Sequence, residues 1–183
     1  MDFILVLKFL LETFQREKIS FALIGGFALQ ASGVTRTTRD IDLLILSENS
    51  QKIKDIMLRH GYKLIHESED VLNFLSDKIE LGRVDFLLAH RKYAIQMLKR
   101  AEEKEVIGKE FKIKVLRVED QIGLKVQAGS NDPRRLHQDM ADIEWLIKNN
   151  YPRLDIELLR EYFRLFDRET ELHKIIEEIR YVD

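Results

Sequence analysis

LIGGFALQASGVTRTTRDIDLLI, residues Leu23 to Ile45, carries two glycines, a short apolar stretch, an Arg/Thr cluster and two aspartates in one passage. The apolar run SFALI (Ser20 to Ile24) ends on Gly25-Gly26 and reads as a buried strand. FALQAS suits a short helix, with Gly33 just past its end, where a left-handed residue is often needed. DIDLLIL (Asp40 to Leu46) reads as a second strand that opens on two carboxylates. Residues two apart on a strand point to one face, so Asp40 and Asp42 project together while Ile41 turns the other way. Hydrocarbon cannot replace the hydration such charges lose. Either they sit at an exposed strand end, or something positively charged meets them.

Outward from this stretch, strands and helices alternate. Phe3 to Glu17 reads as a helix, and NSQKIKDIMLRHGY places Ile53, Ile56 and Met57 at helical spacing with Gly61 as a stop. YKLIH, VLNFL and GRVDFLLA read as three further strands; in the last, Val84, Phe86 and Leu88 share one face, and Asp85 and Leu87 the other. His90 to Glu103 is expected to be helical, and FKIKVLRV alternates like a half-exposed strand. Helices are expected over Glu119 to Ala128, Arg134 to Lys148, Asp155 to Phe166 and Glu169 to Arg180. The clearest composition break is GSNDP, Gly129 to Pro133, a loop signal. The expected class is α/β (α+β): a mixed β-sheet flanked by helices over residues 1–128, then a helical C-terminal part over 129–183, packed on the core or continuous with it.

Composition narrows the rest. A chain of 183 residues, 45% of them hydrophobic, is long enough to bury a proper core. No segment approaches the ~20 apolar residues of a membrane span. In the opening MDFILVLKFLLETF, Asp2 stands where a signal peptide needs positive charge and no small-residue cleavage site follows, so an amphipathic helix is expected. The absence of cysteine excludes a disulfide framework and thiolate metal sites, which suits a cytoplasmic protein. A formal net charge of -2 gives no general attraction for nucleic acid, so any polyanion contact is local. The five histidines show no HxH or HExxH spacing and are not read as ligands.

Two carboxylates held as close as Asp40 and Asp42 repel each other unless one is protonated or a cation lies between them. A hard divalent ion such as Mg²⁺ takes oxygen ligands, commonly one or two carboxylates plus substrate phosphates. Asp85 completes a trio if its strand lies beside the first, and such a trio can hold two ions ~3.5–4 Å apart across an in-line phosphoryl displacement. A strand that ends in Gly25-Gly26 and opens a helix lets backbone approach a ligand closely and offers N–H groups to phosphate. Blander readings stand beside these. The DxD pair could be a solvated strand end or partners for Arg36 and Arg39, and Asp85 could pair with Arg83 at the surface. The glycines could form only a tight turn, and Thr38 could only shape the turn before the strand. Lys112, Lys114 and Arg117 read as a basic strand face, solvated or open to a polyanion.

GG, then RTTRDID, then the later VDF resembles the nucleotidyltransferase superfamily with the polymerase-beta-like catalytic core. More narrowly, Arg36-x-Thr38-x-Asp40-x-Asp42 after a glycine pair resembles the AbiEii-type group, whose members include toxins of toxin–antitoxin systems. EDQIGLKVQAGSNDPRRLHQDMADIEWL continues the likeness: Lys125 on a helix, the basic loop Arg134/Arg135, then Asp139 and Asp142 as D-x-x-D. The resemblance implies a nucleotidyltransferase fold and transfer of a nucleoside monophosphate from ATP or another nucleoside triphosphate. It makes Asp40 and Asp42 ligands of Mg²⁺ or Mn²⁺, and Asp85 a third ligand or general base. It makes Gly25 and Gly26 a phosphate-binding turn, with Arg36 and Thr38 beside the nucleotide. Lys125 neutralises phosphate charge, with Asp139 or Asp142 orienting it; equally, Lys125 snorkels to solvent and the two aspartates pair with it or with Arg135. The implied acceptor is unnamed (tRNA, a protein or a small molecule), and a cognate antitoxin is the implied partner. A non-catalytic nucleotide- or protein-binding module on the same fold is the alternative, and a structural RNA binder finds little support in the charge balance.

Overall fold

A computed structural model describes residues 1–182, with side chains described through residue 179. Asp2 caps the first helix, α1 (Phe3–Glu17): its carboxylate accepts the Leu5 N–H at 3.0 Å and so satisfies a donor that a helix start leaves open. There follow β1 (Phe21–Ile24), α2 (Gly25–Ala31), β2 (Asp40–Leu46), a single 3₁₀ turn and α3 (Ser50–Arg59). Next come β3 (Lys63–Glu67), β4 (Val71–Leu75), β5 (Arg83–Ala89), α4 (Lys92–Lys99), β6 (Glu102–Val106) and β7 (Phe111–Val115). Four helices close the chain: α5 (Val118–Asn131), α6 (Leu136–Asn150), α7 (Ile156–Arg164) and α8 (Glu169–Val182). No helix of the described residues is long and apolar enough to cross a membrane.

The strands form one seven-stranded sheet in the order β3-β4-β5-β2-β1-β7-β6. β2 runs antiparallel to β1 and parallel to β5, and β1 runs parallel to β7. This is the mixed sheet with flanking helices and a helical C-terminal part that the sequence leads one to expect. Two elements differ in detail. The helix expected to reach Glu103 stops at Lys99, and Glu102–Val106 is an edge strand paired with β7. EEKEV has almost no apolar residue to signal a strand, because a charged edge needs none and is protected from further pairing by its charge. Gly129 and Ser130 lie inside α5, where they were expected in a loop. A Cβ on Gly129 would lie 3.2 Å from Leu136 Cδ1 and 3.4 Å from its Cα, so this glycine serves close helix–helix approach.

The chain forms two compact units, one of Met1–Ala31 with Arg36–Leu116, the other of Ser32–Thr35 with everything from Arg117 onward. In the first, Val6, Leu7, Leu10 and Phe14 of α1 and Ile53, Ile56 and Met57 of α3 join Ile41, Leu43, Ile45, Val84 and Phe86 in one fully buried core. Alternation therefore turns Asp40, Asp42 and Asp85 to the opposite face. In the second, α5 packs on α6 and α7 around Ile122, Val126, Ile143, Leu146, Leu159 and Phe163. Tyr162 donates its hydroxyl to the buried Asp120 at 2.6 Å, and Gly123 leaves room for the Tyr162 ring. The short Ser32–Thr35 segment is bound there too: Gln121 donates to Ser32 Oγ at 2.8 Å, and Asn149 to the Gly33 carbonyl at 2.9 Å.

Candidate active site

The parallel β2–β5 ladder sets the site. Its register places Asp42 beside Asp85 and Asp40 beside Arg83, so four charged side chains share one end of two neighbouring strands. One carboxylate oxygen from each of Asp40, Asp42 and Asp85 lies within 4.8 Å of the others. All three residues are half-buried, and no other such group of potential metal ligands occurs among the described residues. Asp42 bears most of the strain. Burial first, and then the negative charges of Asp40 and Asp85, push its carboxyl from 3.8 up to about 7. The Arg83 charge and a hydrogen bond from the Gly26 backbone pull the other way without cancelling it. Three hard oxygen donors, one held back from ionising by burial and by the charges of the other two, are a donor set that suits Mg²⁺ or Mn²⁺.

Each carboxylate is seated by a specific neighbour. Thr38 Oγ1 lies 3.0 Å from Asp40 Oδ1 and 3.1 Å from the Asp40 carbonyl, which fixes the turn and the side chain together. Arg83 grips Asp85: Nε donates to both oxygens at 2.9 Å, and Nη2 stands 2.8 Å from Oδ2. The glycine pair accommodates the site itself. Gly25 has a φ of +62°, and a methyl there would overlap the Asp42 carboxylate. A Cβ on Gly26 would lie 2.5 Å from Thr38 Cβ. Arg36 enters through its backbone, whose carbonyl accepts from Gln30 Nε2 at 2.6 Å.

The remaining candidates form a cluster of their own in the helical unit. Lys125 Nζ donates to Asp139 Oδ1 at 3.0 Å and to Asp142 Oδ2 at 2.6 Å. Asp139 also faces Arg135 at 3.3 Å. The ammonium is thus held by two buried carboxylates on α6 and does not snorkel to bulk water. The basic strand face is balanced: Lys112 stands opposite Glu105 and Lys114 opposite Glu103 in the β6–β7 ladder, and Arg117 lies beyond β7 against Glu119. Two residues next to the trio escaped the sequence reading as site residues. Arg83, weighed only as a surface partner, lies in the trio's own face, and Asn73 of β4 stands in register with Asp85. Arg83-x-Asp85 spacing within a strand was the available signal for the first; nothing local marks the second.

Residues 8–182 match the profile of the family described as nucleotidyl transferase AbiEii toxin, type IV toxin–antitoxin system. The chain belongs to the AbiEii nucleotidyltransferase family. Solved structures of the same fold include the antibiotic-resistance factor ANT(2'')-Ia, with a TM-score of 0.66, 17% identity, and coverage of 93% of this chain and 96% of that one. A nucleotidyltransferase-like protein from Paracoccidioides brasiliensis gives 0.56 at 17% identity, over 95% and 91% of the two chains. The lincosamide antibiotic adenylyltransferase LnuA, solved with lincomycin bound, gives 0.52 at 20% identity, over 76% and 93%. At such identities the likeness is one of fold. A search of curated proteins returned no match.

Proposed function

We propose that the chain transfers a nucleoside monophosphate from a nucleoside triphosphate such as ATP to an acceptor, with Mg²⁺ or Mn²⁺ held by Asp40, Asp42 and Asp85. The observation that carries this reading is the convergence of three carboxylates, within 4.8 Å of one another, on adjacent strands of a nucleotidyltransferase fold. A divalent ion held by Asp40, Asp42 and Asp85 would supply charge neutralisation to the phosphates and orientation for in-line displacement. Asp40 and Asp42 offer ligand oxygens from one strand. Asp85, on the neighbouring strand, offers a third oxygen or accepts the proton of the attacking acceptor hydroxyl. Thr38 keeps Asp40 in place, and the α2 start at Gly25-Gly26, with Arg36, borders the nucleotide. Lys125, held by Asp139 and Asp142 within the helical unit, is the residue to which the family resemblance assigns neutralisation of phosphate charge. The acceptors open to this chemistry are tRNA, a protein hydroxyl, another nucleotide, or a small molecule such as those the names of ANT(2'')-Ia and LnuA point to. The family description supports a toxin role with a cognate antitoxin as partner.

The decisive experiment is calorimetry followed by turnover. Mn²⁺ should bind the purified chain, an ATP analogue should bind only with the metal present, and label from α-³²P-ATP should pass to an acceptor in a cell lysate. Asp40→Asn and Asp42→Asn should fold and lose all three properties. Label transfer by either variant at the wild-type rate would refute the assignment.

A further inference from the structure

Building on the metal-site reading above, we propose that Arg83 is a built-in counter-cation of Asp85 that a divalent ion displaces, and that the released guanidinium then takes the triphosphate. The Arg83 fork covers both Asp85 oxygens, with Nε at 2.9 Å from each and Nη2 at 2.8 Å from Oδ2. A carboxylate offers about four lone-pair sites, and three are engaged here, so an incoming ion competes with Arg83 for the same oxygens. The register also puts Arg83 directly beside Asp40, so its positive charge lies among the three carboxylates. A doubly charged ion entering that face repels the guanidinium as it attracts the carboxylates.

The two partners differ in freedom to leave. The Arg83 side chain is 45% exposed and that of Asp85 only 16%, so the guanidinium swings out without opening the core while the carboxylate stays. Arg83 makes no other ion pair among the described residues. Its planar fork matches a phosphate as it matches a carboxylate, and the triphosphate arrives at this same face carrying several negative charges. The pair therefore keeps the trio tolerable before the metal arrives. Afterwards the same arginine stands among the charges the nucleotide brings.

Calorimetric titration of the full chain tests the exchange, first with Mn²⁺ alone and then with the preformed Mn²⁺–tripolyphosphate complex. Arg83→Gln should tighten Mn²⁺ binding about three- to tenfold by removing the competitor, and should weaken the tripolyphosphate complex at least tenfold. Arg83→Lys should shift both in the same directions, since lysine keeps the charge and loses the fork, and it carries the test if circular dichroism shows that the glutamine variant has unfolded. A purely structural role would not move the two affinities in opposite directions. Unchanged or weaker Mn²⁺ binding in both variants, or unchanged tripolyphosphate binding, overturns the exchange. Asp42→Asn separates the two ideas: if wild type binds Mn²⁺ and this variant does not, the metal site stands and only the exchange is being judged. If wild type binds no Mn²⁺, the metal site and the exchange fall together.

Discussion

Asp42 is the residue on which protons and cations compete. Its pKa in the folded chain is about 7, against 3.8 ordinarily, so between those values the native state holds more protons than the unfolded chain. Stability without metal therefore falls as pH rises through that window, and the loss is complete above it. Asp42→Asn removes the penalty. At pH 8 without metal this variant should melt about 2–8 °C above wild type by calorimetric scanning, while binding no Mn²⁺. Wild-type Mn²⁺ affinity should in turn rise from pH 5.5 to pH 8, with close to one proton released per ion near pH 6, read from the buffer dependence of the heat. Gly25 sets a second residue-scale constraint. Gly25→Ala combines a left-handed backbone with overlap against Asp42 and should cost about 1–3 kcal/mol in urea melts, together with loss of Mn²⁺ binding. Thr38→Val keeps the shape and loses the bond to Asp40, and should weaken Mn²⁺ about tenfold with little change in melting temperature.

Among the elements, the helical unit offers a direct test of packing. Gly123 is inside α5, where alanine is intrinsically better by about 1 kcal/mol. Its Cβ, however, would lie 2.8 Å from the buried Tyr162 ring, so Gly123→Ala should destabilise by about 1–3 kcal/mol in denaturant melts. How far sequence alone reaches also differs from element to element. DIDLLIL and RVDFLLA could be read as strands from their short apolar runs, and the two-residue period of a strand puts Asp40 and Asp42 on the face opposite Ile41, and Asp85 on the face opposite Val84 and Phe86. That β2 and β5 are neighbours in register is non-local, so the trio stayed conditional in the sequence until the ladder set it. EEKEV escaped notice because an edge strand carries no hydrophobic period. Gly129 misled because the same residue type breaks one helix and lets another pack closely. Gly25 and Gly26 were legible as points of close backbone approach, but Asp42 and Thr38, the groups that approach, come from later in the chain.

At the scale of the whole molecule, charge and ligand linkage decide behaviour. A formal net charge of -2, with the lysines of β7 set against glutamates of β6, gives polyanions no general attraction. Random single-stranded RNA should therefore bind more weakly than about 10⁻⁴ M at physiological salt in filter assays, whichever acceptor is eventually found. A cation that binds only the folded chain stabilises all of it by mass action. Mn²⁺ at a hundred times its Kd should add about 2.7 kcal/mol, visible as a higher melting temperature that EDTA reverses.

The ladder between β2 and β5 also governs which changes of length the chain can survive. Residues added to the hairpin turn before Arg83 leave the pairing of Asp42 with Asp85 untouched, since that turn lies outside the ladder. Deleting Val84 would instead rotate Phe86 into the acidic pocket and Asp85 into hydrocarbon. Chemistry here is thus indifferent to loop length and intolerant of a single missing codon.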